Sequence, residues 1–346
     1  MSSGIAILIA VSLFYLTNLK KDKNMNKKII ENIAWWIPIK KWRDYFRNKM
    51  CSKIVDKSIT EYNDKVKEIY NNRKIILVQM ETHNRCNNDC SFCPVSVGND
   101  IRKYHKMSDE LFIKIINDLS DINYNGMISL FDNNEPFLDK RILKFFKIAK
   151  EKLPYAFHYI MTNGLTVTLE DYIESCKYLD MFLIDNYNNN VELNPNTKII
   201  YDFCINNPQY NKKTVILMRS KNEILTSRAG NSPNRKNSLK RIPYLCTLPL
   251  WQFHIRPDGK VSLCCCDAYG QMTLGDLTKN TVKEIWNSKL FNRLQKLLLK
   301  GRDSINICKY CDYVDDIERT YKKCVQDEYV YDTLELFKNM PHSILK

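Results

Sequence analysis

Three cysteines stand close together at Cys86, Cys90 and Cys93, in the run CNNDCSFC followed by Pro94. Thiolate is the ligand that iron–sulfur clusters prefer, and three thiols on one short loop can take three corners of an iron–sulfur cube. A cube has four irons, so one iron is left without a protein ligand and open to chemistry. Zinc is the alternative, but a structural zinc site closes with a fourth Cys or His nearby. His83 and His105 are the near histidines, and neither completes a zinc pattern.

A second group lies toward the C-terminus. Cys246 and Cys264 flank a hairpin signal built on the turn Pro257-Asp258-Gly259. Cys308 and Cys311 form a CxxC after a helical stretch, 281–300, that Gly301 stops. Four such thiols can hold a second cube or a zinc ion, since tetrahedral sulfur sites suit both. Cys51, Cys176, Cys204 and Cys324 read as ordinary thiols.

Both groups need elements to position them. From residue 74 onward, short apolar runs alternate with amphipathic stretches. The strand candidates are Ile75–Met80, Met127–Asp132, Phe157–Met161, Met181–Asp185 and Thr214–Met218. Ser108 caps a helix through Leu119, and Asn194-Pro195 opens another that stops before Pro208. Strands alternating with helices at this interval predict an α/β fold, a parallel sheet with helices on one side, barrel-like or open. Ligands in such folds sit at the C-terminal ends of strands, which is where the three-cysteine loop begins. A sixth strand is not located.

The spacing CxxxCxxC, with Phe92 before the third Cys, resembles the signature of the radical S-adenosylmethionine (SAM) superfamily. The resemblance implies a partial (β/α)6 barrel, a [4Fe–4S] cluster on Cys86, Cys90 and Cys93, and SAM on its open iron. Asp132-Asn133-Asn134-Glu135-Pro136 resembles that family's Gly-Gly-Glu-Pro turn, which holds the SAM amino group. Both glycines are Asn here, a residue that tolerates left-handed backbone. Thr162-Asn163-Gly164 resembles another ligand-side turn, and Arg219, Ser227, Arg228 and Asn231 are candidates for the SAM carboxylate or a substrate. The cofactor contacts this implies are Phe92, Asn133, Asn134, Glu135, Pro136, Asn163 and Arg228.

Residues 244–315 are similar to the SPASM/Twitch extension of such barrels, with Cys246, then Gly259-x4-Cys264, then the distant CxxC. Cys265 and Cys266 rank below Cys264 because Cys264 alone keeps the Gly-x4-Cys interval. After Cys311 there is Cys324 alone, so one auxiliary [4Fe–4S] cluster on Cys246, Cys264, Cys308 and Cys311 is expected. The resemblance implies reductive cleavage of SAM to a 5′-deoxyadenosyl radical, with the cofactor carrying the chemistry. A fully ligated second cluster suits an electron acceptor, as in radical SAM dehydrogenases that oxidise an aminocyclitol. A sugar- or cyclitol-like small molecule is therefore the expected substrate, and a flavodoxin or ferredoxin the expected electron donor. The rival readings are a peptide-modifying maturase and a non-catalytic zinc or redox binding protein. His254, alone in the hairpin, reads as structural.

Composition bounds the rest. Hydrophobic residues make up 44% of the 346 and aromatics 11%, which describes a globular core. Thirteen Cys without a secretory cleavage pattern place the thiols in a reducing compartment, the cytoplasm, for metal use. The formal charge of +14 reflects a chain rich in Lys throughout, and no nucleic-acid module accompanies it. Residues 4–19 form an apolar run ended by Lys20, Lys21 and Lys23, which is short for a membrane span; a start at Met25 is the alternative. Trp35, Trp36, Trp42, Tyr45 and Phe46 alternate with Lys40, Lys41, Arg43 and Arg47. Such a mixture suits the inner face of a membrane or a helix packing its rings on the main domain. The expected organisation is an apolar segment 1–24, a basic aromatic lead-in 25–73, the core 74–230, a linker 231–243, the cluster module 244–315 and a helical tail 316–346.

Overall fold

The computed structural model describes residues 27–37, 39–236, 241–326 and 331–345. The apolar run 4–19 and the Met25 start lie outside the described residues, as does part of the linker. The chain divides into two units, Met1–Asp64 and Lys65–Lys346. The first contains α1 (Lys27–Trp35) and most of α2 (Lys40–Asn71). Among the described residues no helix is long and apolar enough to cross a membrane.

The second unit is built on one sheet in the order β5-β4-β3-β2-β1-β6-β7-β8. Its strands are β1 (Leu77–Met80), β2 (Met127–Ser129), β3 (Phe157–Thr162), β4 (Met181–Tyr187), β5 (Thr214–Arg219), β6 (Gln252–Ile255), β7 (Lys260–Ser262) and β8 (Thr273–Asp276). Strands β1 to β6 run parallel, and β6, β7 and β8 continue as an antiparallel meander. The architecture is the partial barrel expected from the sequence. The five strand candidates hold to within a few residues.

The missing sixth strand is β6, which pairs with β1 from Leu77↔Gln252 to Met80↔Ile255. It comes from the segment assigned to the C-terminal module, so the sheet continues across the linker. A hairpin signal reports local pairing alone, and β6 spends its other edge on a strand far back in the chain.

Helices cover one face: α3 (Asp109–Asp121), α4 (Ile142–Lys152), α5 (Leu169–Ser175), α6 (Pro195–Asn206), the short α7 (Pro208–Asn211), α8 (Val282–Trp286) and α9 (Lys289–Leu298). Ser108 caps α3 by accepting from the Leu111 N–H, with Asp109 and Glu110 in the first turn. Phe112 stacks on Phe145 at 4.1 Å, Tyr172 meets Phe182 edge-on at 5.0 Å, and Phe253 packs 6.3 Å from Phe291. Each such buried ring contributes about 1.5–3 kcal/mol. The edge of β5 is covered by the C-terminal end, where Met218 N–H donates to His342 O at 2.9 Å. Beyond α10 (Ile317–Val325), α11 (Tyr331–Lys338) leads into that strap.

Candidate functional site

The three-thiol loop leaves β1 at Glu81 and is folded by its own backbone. Cys93 N–H donates to Cys90 O at 3.1 Å, and Ser96 Oγ donates to Cys93 O at 2.9 Å. Phe92 is buried, its ring 5.6 Å from that of Tyr187 at the end of β4. Burial pushes the Cys86 and Cys90 thiols up to about 12, and repulsion among the three sulfurs adds to this. Thiolates gathered here are costly unless a cation joins them. That is the condition a metal cluster satisfies.

Arg102 fixes the frame of this loop. Its guanidinium meets Glu81 at 3.0 Å and Asp100 at 3.0 Å, and donates to Asn84 O at 3.2 Å and Asn133 O at 2.8 Å. Burial pushes the Glu81 carboxyl up, against the pull of Arg102. His83 accepts from Arg85 N–H at Nδ1 (3.1 Å), so its proton sits on Nε2 and is donated to Glu135 O at 2.9 Å. Both nitrogens are thereby engaged, and His83 is a strut.

The turn after β2 lies against the same loop. Asn133 N–H donates to Glu81 Oε1 at 3.1 Å, and Asn134 Oδ1 accepts from Asp132 N–H at 3.1 Å. The left-handed backbone expected of these asparagines is not used. Among the described residues, positive φ outside glycine occurs at Asn123, Val191, Arg228 and Ala229. Side-chain bonds to Glu81 and Asp132 close the turn instead. Asn134 Nδ2 is buried without a protein partner, a donor left for a ligand.

Glu135 is buried and already occupied. Its carboxylate accepts from Thr162 Oγ1 at 2.7 Å, Asn163 N–H at 2.8 Å and Phe137 N–H at 3.1 Å. Burial raises its pKa to about 7 against the pull of those donors. It ties the β2 turn, which runs on through Pro136, to the Thr162-Asn163-Gly164 turn after β3. Asn163 in turn donates to Asn87 Oδ1 at 2.8 Å and lies 3.8 Å from Cys86 Sγ. Gly164 has φ +72°, and a Cβ there would meet Thr197 Oγ1 at 2.5 Å, so the turn requires glycine.

The second thiol group is deeper. Cys246, Cys264, Cys266, Cys308 and Cys311 are all buried, and burial raises the Cys246 thiol to about 12. Cys266, ranked below Cys264 on spacing, lies close enough to Cys264 and Cys311 to push both thiols up. Cys246 and Cys308 sit in the electrostatic field of these sulfurs. Arg302 binds the group together by donating to Tyr244 O (2.7 Å), Cys311 O (3.1 Å) and Tyr313 O (2.6 Å). Cys324 is buried beside Asp315, and Cys204 meets Tyr172 Oη at 3.1 Å; both are away from the two groups.

Arg228 lies between them. Burial opposes its charge, but the Cys93, Cys266 and Cys265 thiols and Asp132 outweigh that and hold it protonated. Its φ of +50°, followed by +55° at Ala229, costs about 1–3 kcal/mol per residue. The side chain donates to Asn133 Oδ1, and its Nε is buried without a protein partner. It lines a cavity of about 490 Å³ with Leu225, Arg235, Cys266, Asp312 and Tyr313. Arg219 is instead taken by Glu223 at 2.5 Å and Asp185 at 3.4 Å, and Ser227 Oγ donates to Tyr310 O at 2.8 Å. Of the four candidates after β5, Arg228 alone lines this cavity.

The sequence missed the sheet face opposite the helices. His254, Gln79, Ser129 and Tyr159 stand side by side there in one row of the register. His254 pairs with Asp132 at 3.0 Å and Gln252 at 2.9 Å. Polar residues interrupting apolar strands were the available signal.

Comparison with known proteins agrees with this geometry. Residues 80–215 match the radical SAM superfamily, and residues 246–312 match SPASM, an iron–sulfur cluster-binding domain. The chain is 25% identical over 259 residues to the S-adenosyl-L-methionine-dependent 2-deoxy-scyllo-inosamine dehydrogenase of Niallia circulans, covering 74% of this chain and 96% of that one. Among solved structures, BtrN in complex with AdoMet and 2-DOIA aligns with a TM-score of 0.61 at 22% identity, over 70% of this chain and 94% of that one. BtrN in an open conformation aligns at 0.52 and 21% identity, with the same coverage.

Proposed function

This chain belongs to the radical SAM superfamily and carries a SPASM-type iron–sulfur domain, and on that premise we propose that it oxidises a sugar- or cyclitol-like small molecule. Cys86, Cys90 and Cys93 would hold the SAM-binding [4Fe–4S] cluster, and Cys246, Cys264, Cys308 and Cys311 the auxiliary one. When bound, these groups supply a 5′-deoxyadenosyl radical that removes hydrogen from an unactivated C–H bond, and a sink for the electron left behind.

The chain's own residues orient and enclose. The turn from Asn133 to Pro136 presents polar backbone and the Asn134 amide to SAM, while Glu135 holds that turn against Asn163. Phe92 and Tyr187 wall the loop from solvent. Arg228 offers its Nε–H to a hydroxyl or carboxylate in the cavity that Cys265 and Cys266 border. That cavity, bordered by Cys265 and Cys266 beside Arg228 and Asp312, is the observation that carries the reading: a substrate held there would lie beside the second group. The dehydrogenase relative, whose name gives a cyclitol substrate, supports the same class. A flavodoxin or ferredoxin electron donor and attachment at the inner face of a membrane belong to this proposal.

Anaerobic reconstitution tests it. About eight irons per chain, deoxyadenosine release under dithionite and a two-electron-oxidised cyclitol are expected. A cross-linked peptide product would move the reading to a maturase. Zinc without SAM turnover would end it.

A further inference from the structure

The first unit closes a small core of its own. Ile30, Ala34 and Phe46 are buried between α1 and α2, with Ile33, Ile37, Met50 and Ile54 packed against them. Arg47 pairs with Glu31 at 2.8 Å, and Arg43 Nε donates to Ile37 O at 3.0 Å, which locks the two helices into a hairpin. The core uses aliphatic residues and Phe46, and leaves the other large rings outside. Trp35 is 72% exposed, Trp36 80%, Trp42 56% and Tyr45 64%. Of the five aromatic residues singled out in the sequence, Phe46 is buried in this core and the other four are exposed.

The same end of the hairpin is cationic. Between residues 39 and 49 stand Lys40, Lys41, Arg43, Arg47 and Lys49 against the single acid Asp44. Helix α2 opens on two lysines with no acidic residue in its first turn, so its dipole adds to their charge. We propose that this hairpin end docks on an anionic lipid surface, with the indoles at headgroup depth and the lysines on the phosphates. A second copy of the chain is a poor occupant, because it would bring the same cations face to face. The inference rests on the membrane part of the reading above, names its contact residues and lipid class, and stands apart from the radical chemistry.

Tryptophan fluorescence reads it directly, since three of the five tryptophans are in the patch and Trp251 and Trp286 are buried. The full chain is mixed with vesicles of brominated phosphatidylcholine containing about 30% phosphatidylglycerol, or none. Strong quenching is expected with the anionic vesicles, and half-saturation about tenfold or more weaker with the neutral ones. K40E/K41E is expected to lose about tenfold or more on anionic vesicles, and W36S/W42S to weaken binding there as well, both with iron content unchanged. If both variants bind like the parent, the hairpin end is not the contact, although membrane attachment itself survives. Failure of the parent to bind any vesicle removes both. A dimer that W36S/W42S dissolves, without lipid quenching, would replace the lipid with a second copy.

Discussion

Around Cys86, Cys90 and Cys93 the chain is braced by an ionic clamp, Arg102 against Glu81 and Asp100, and Cys86 and Cys93 are partly exposed. Around Cys246, Cys308 and Cys311 the bracing arginine, Arg302, grips backbone carbonyls on both flanks, and every sulfur is buried. The first arrangement leaves room beside the thiols and aims polar turns at it. The second buries its sulfurs, with Cys266 at the wall of the cavity. One chain thus contains an open thiol set and an enclosed one, the contrast expected if the first binds a small cofactor and the second passes electrons.

The largest expected effect breaks the comparison outright. Replacing Cys86, Cys90 or Cys93 by Ala should abolish deoxyadenosine release and remove about four of about eight irons. Replacing Cys308 or Cys311 should remove a similar share of iron yet preserve deoxyadenosine release, while the oxidised product disappears. Iron analysis with chromatography of both products reads the difference. If both sets of variants lost deoxyadenosine equally, the two regions would not have separate roles.

Much of this was legible in the sequence and some was not, for definite reasons. The cysteine groups show because metal chemistry fixes spacing along a loop. Five parallel strands show because each is an apolar run between helices. Strand β6 was hidden, since Gln252–Ile255 is four residues long and its partner β1 lies far back in the chain. Arg102 and Arg302 were invisible because a lone arginine carries no spacing. Their roles exist once distant carbonyls and carboxylates have been folded around them. The Asn133-Asn134 turn was recognised, but its backbone was misjudged because the closing side chain, Glu81, stands just past the end of β1, far back in the chain.

The clamps give the next test. Arg302→Met strands several buried carbonyls and should cost about 3–5 kcal/mol, with selective loss of the second iron set. Arg302→Lys should rescue little, because one ammonium does not reproduce the planar fork. Arg102→Met leaves Glu81 buried without its cation, at a cost of about 3–5 kcal/mol, and should loosen the first set instead. Iron retention after mild denaturant, read beside the unfolding midpoint, distinguishes the two. Equal loss of both sets in either variant would erase the contrast between the braces.

Glu135 sharpens the picture through pH. Its carboxyl titrates near 7 when folded, against an ordinary 4.5, because it is buried. Between those values the folded chain keeps a proton that the unfolded chain has released. The associated stability is complete below about pH 4.5 and falls as pH rises through about 7, by about 3 kcal/mol in all. Glu135→Gln should flatten that slope. It should also cost about 1–3 kcal/mol at acid pH, because its amide would face a donor, either Asn163 N–H or the Phe137 and Thr162 donors. Denaturant titrations of the metal-free chain across this range measure both. A parallel pH slope in the variant would assign the titration elsewhere.

The smallest effect concerns the closed set itself, where five buried thiols compete for four places. Cys264 keeps the interval from Gly259, whereas Cys266 acts electrostatically on both Cys264 and Cys311. If Cys264 is the ligand, Cys266 fills space beside the cluster, and Cys266→Ser should change iron content by less than about one atom per chain. Cys264→Ser should then lose about four. A buried serine in place of Cys266 still offers a hydroxyl to its neighbours, so the stability change should stay within about 1 kcal/mol. The reverse pattern would make Cys266 the fourth ligand and place the cluster closer to Arg228. The cavity lined by Arg228, Cys265 and Cys266 would then be bounded by a ligand.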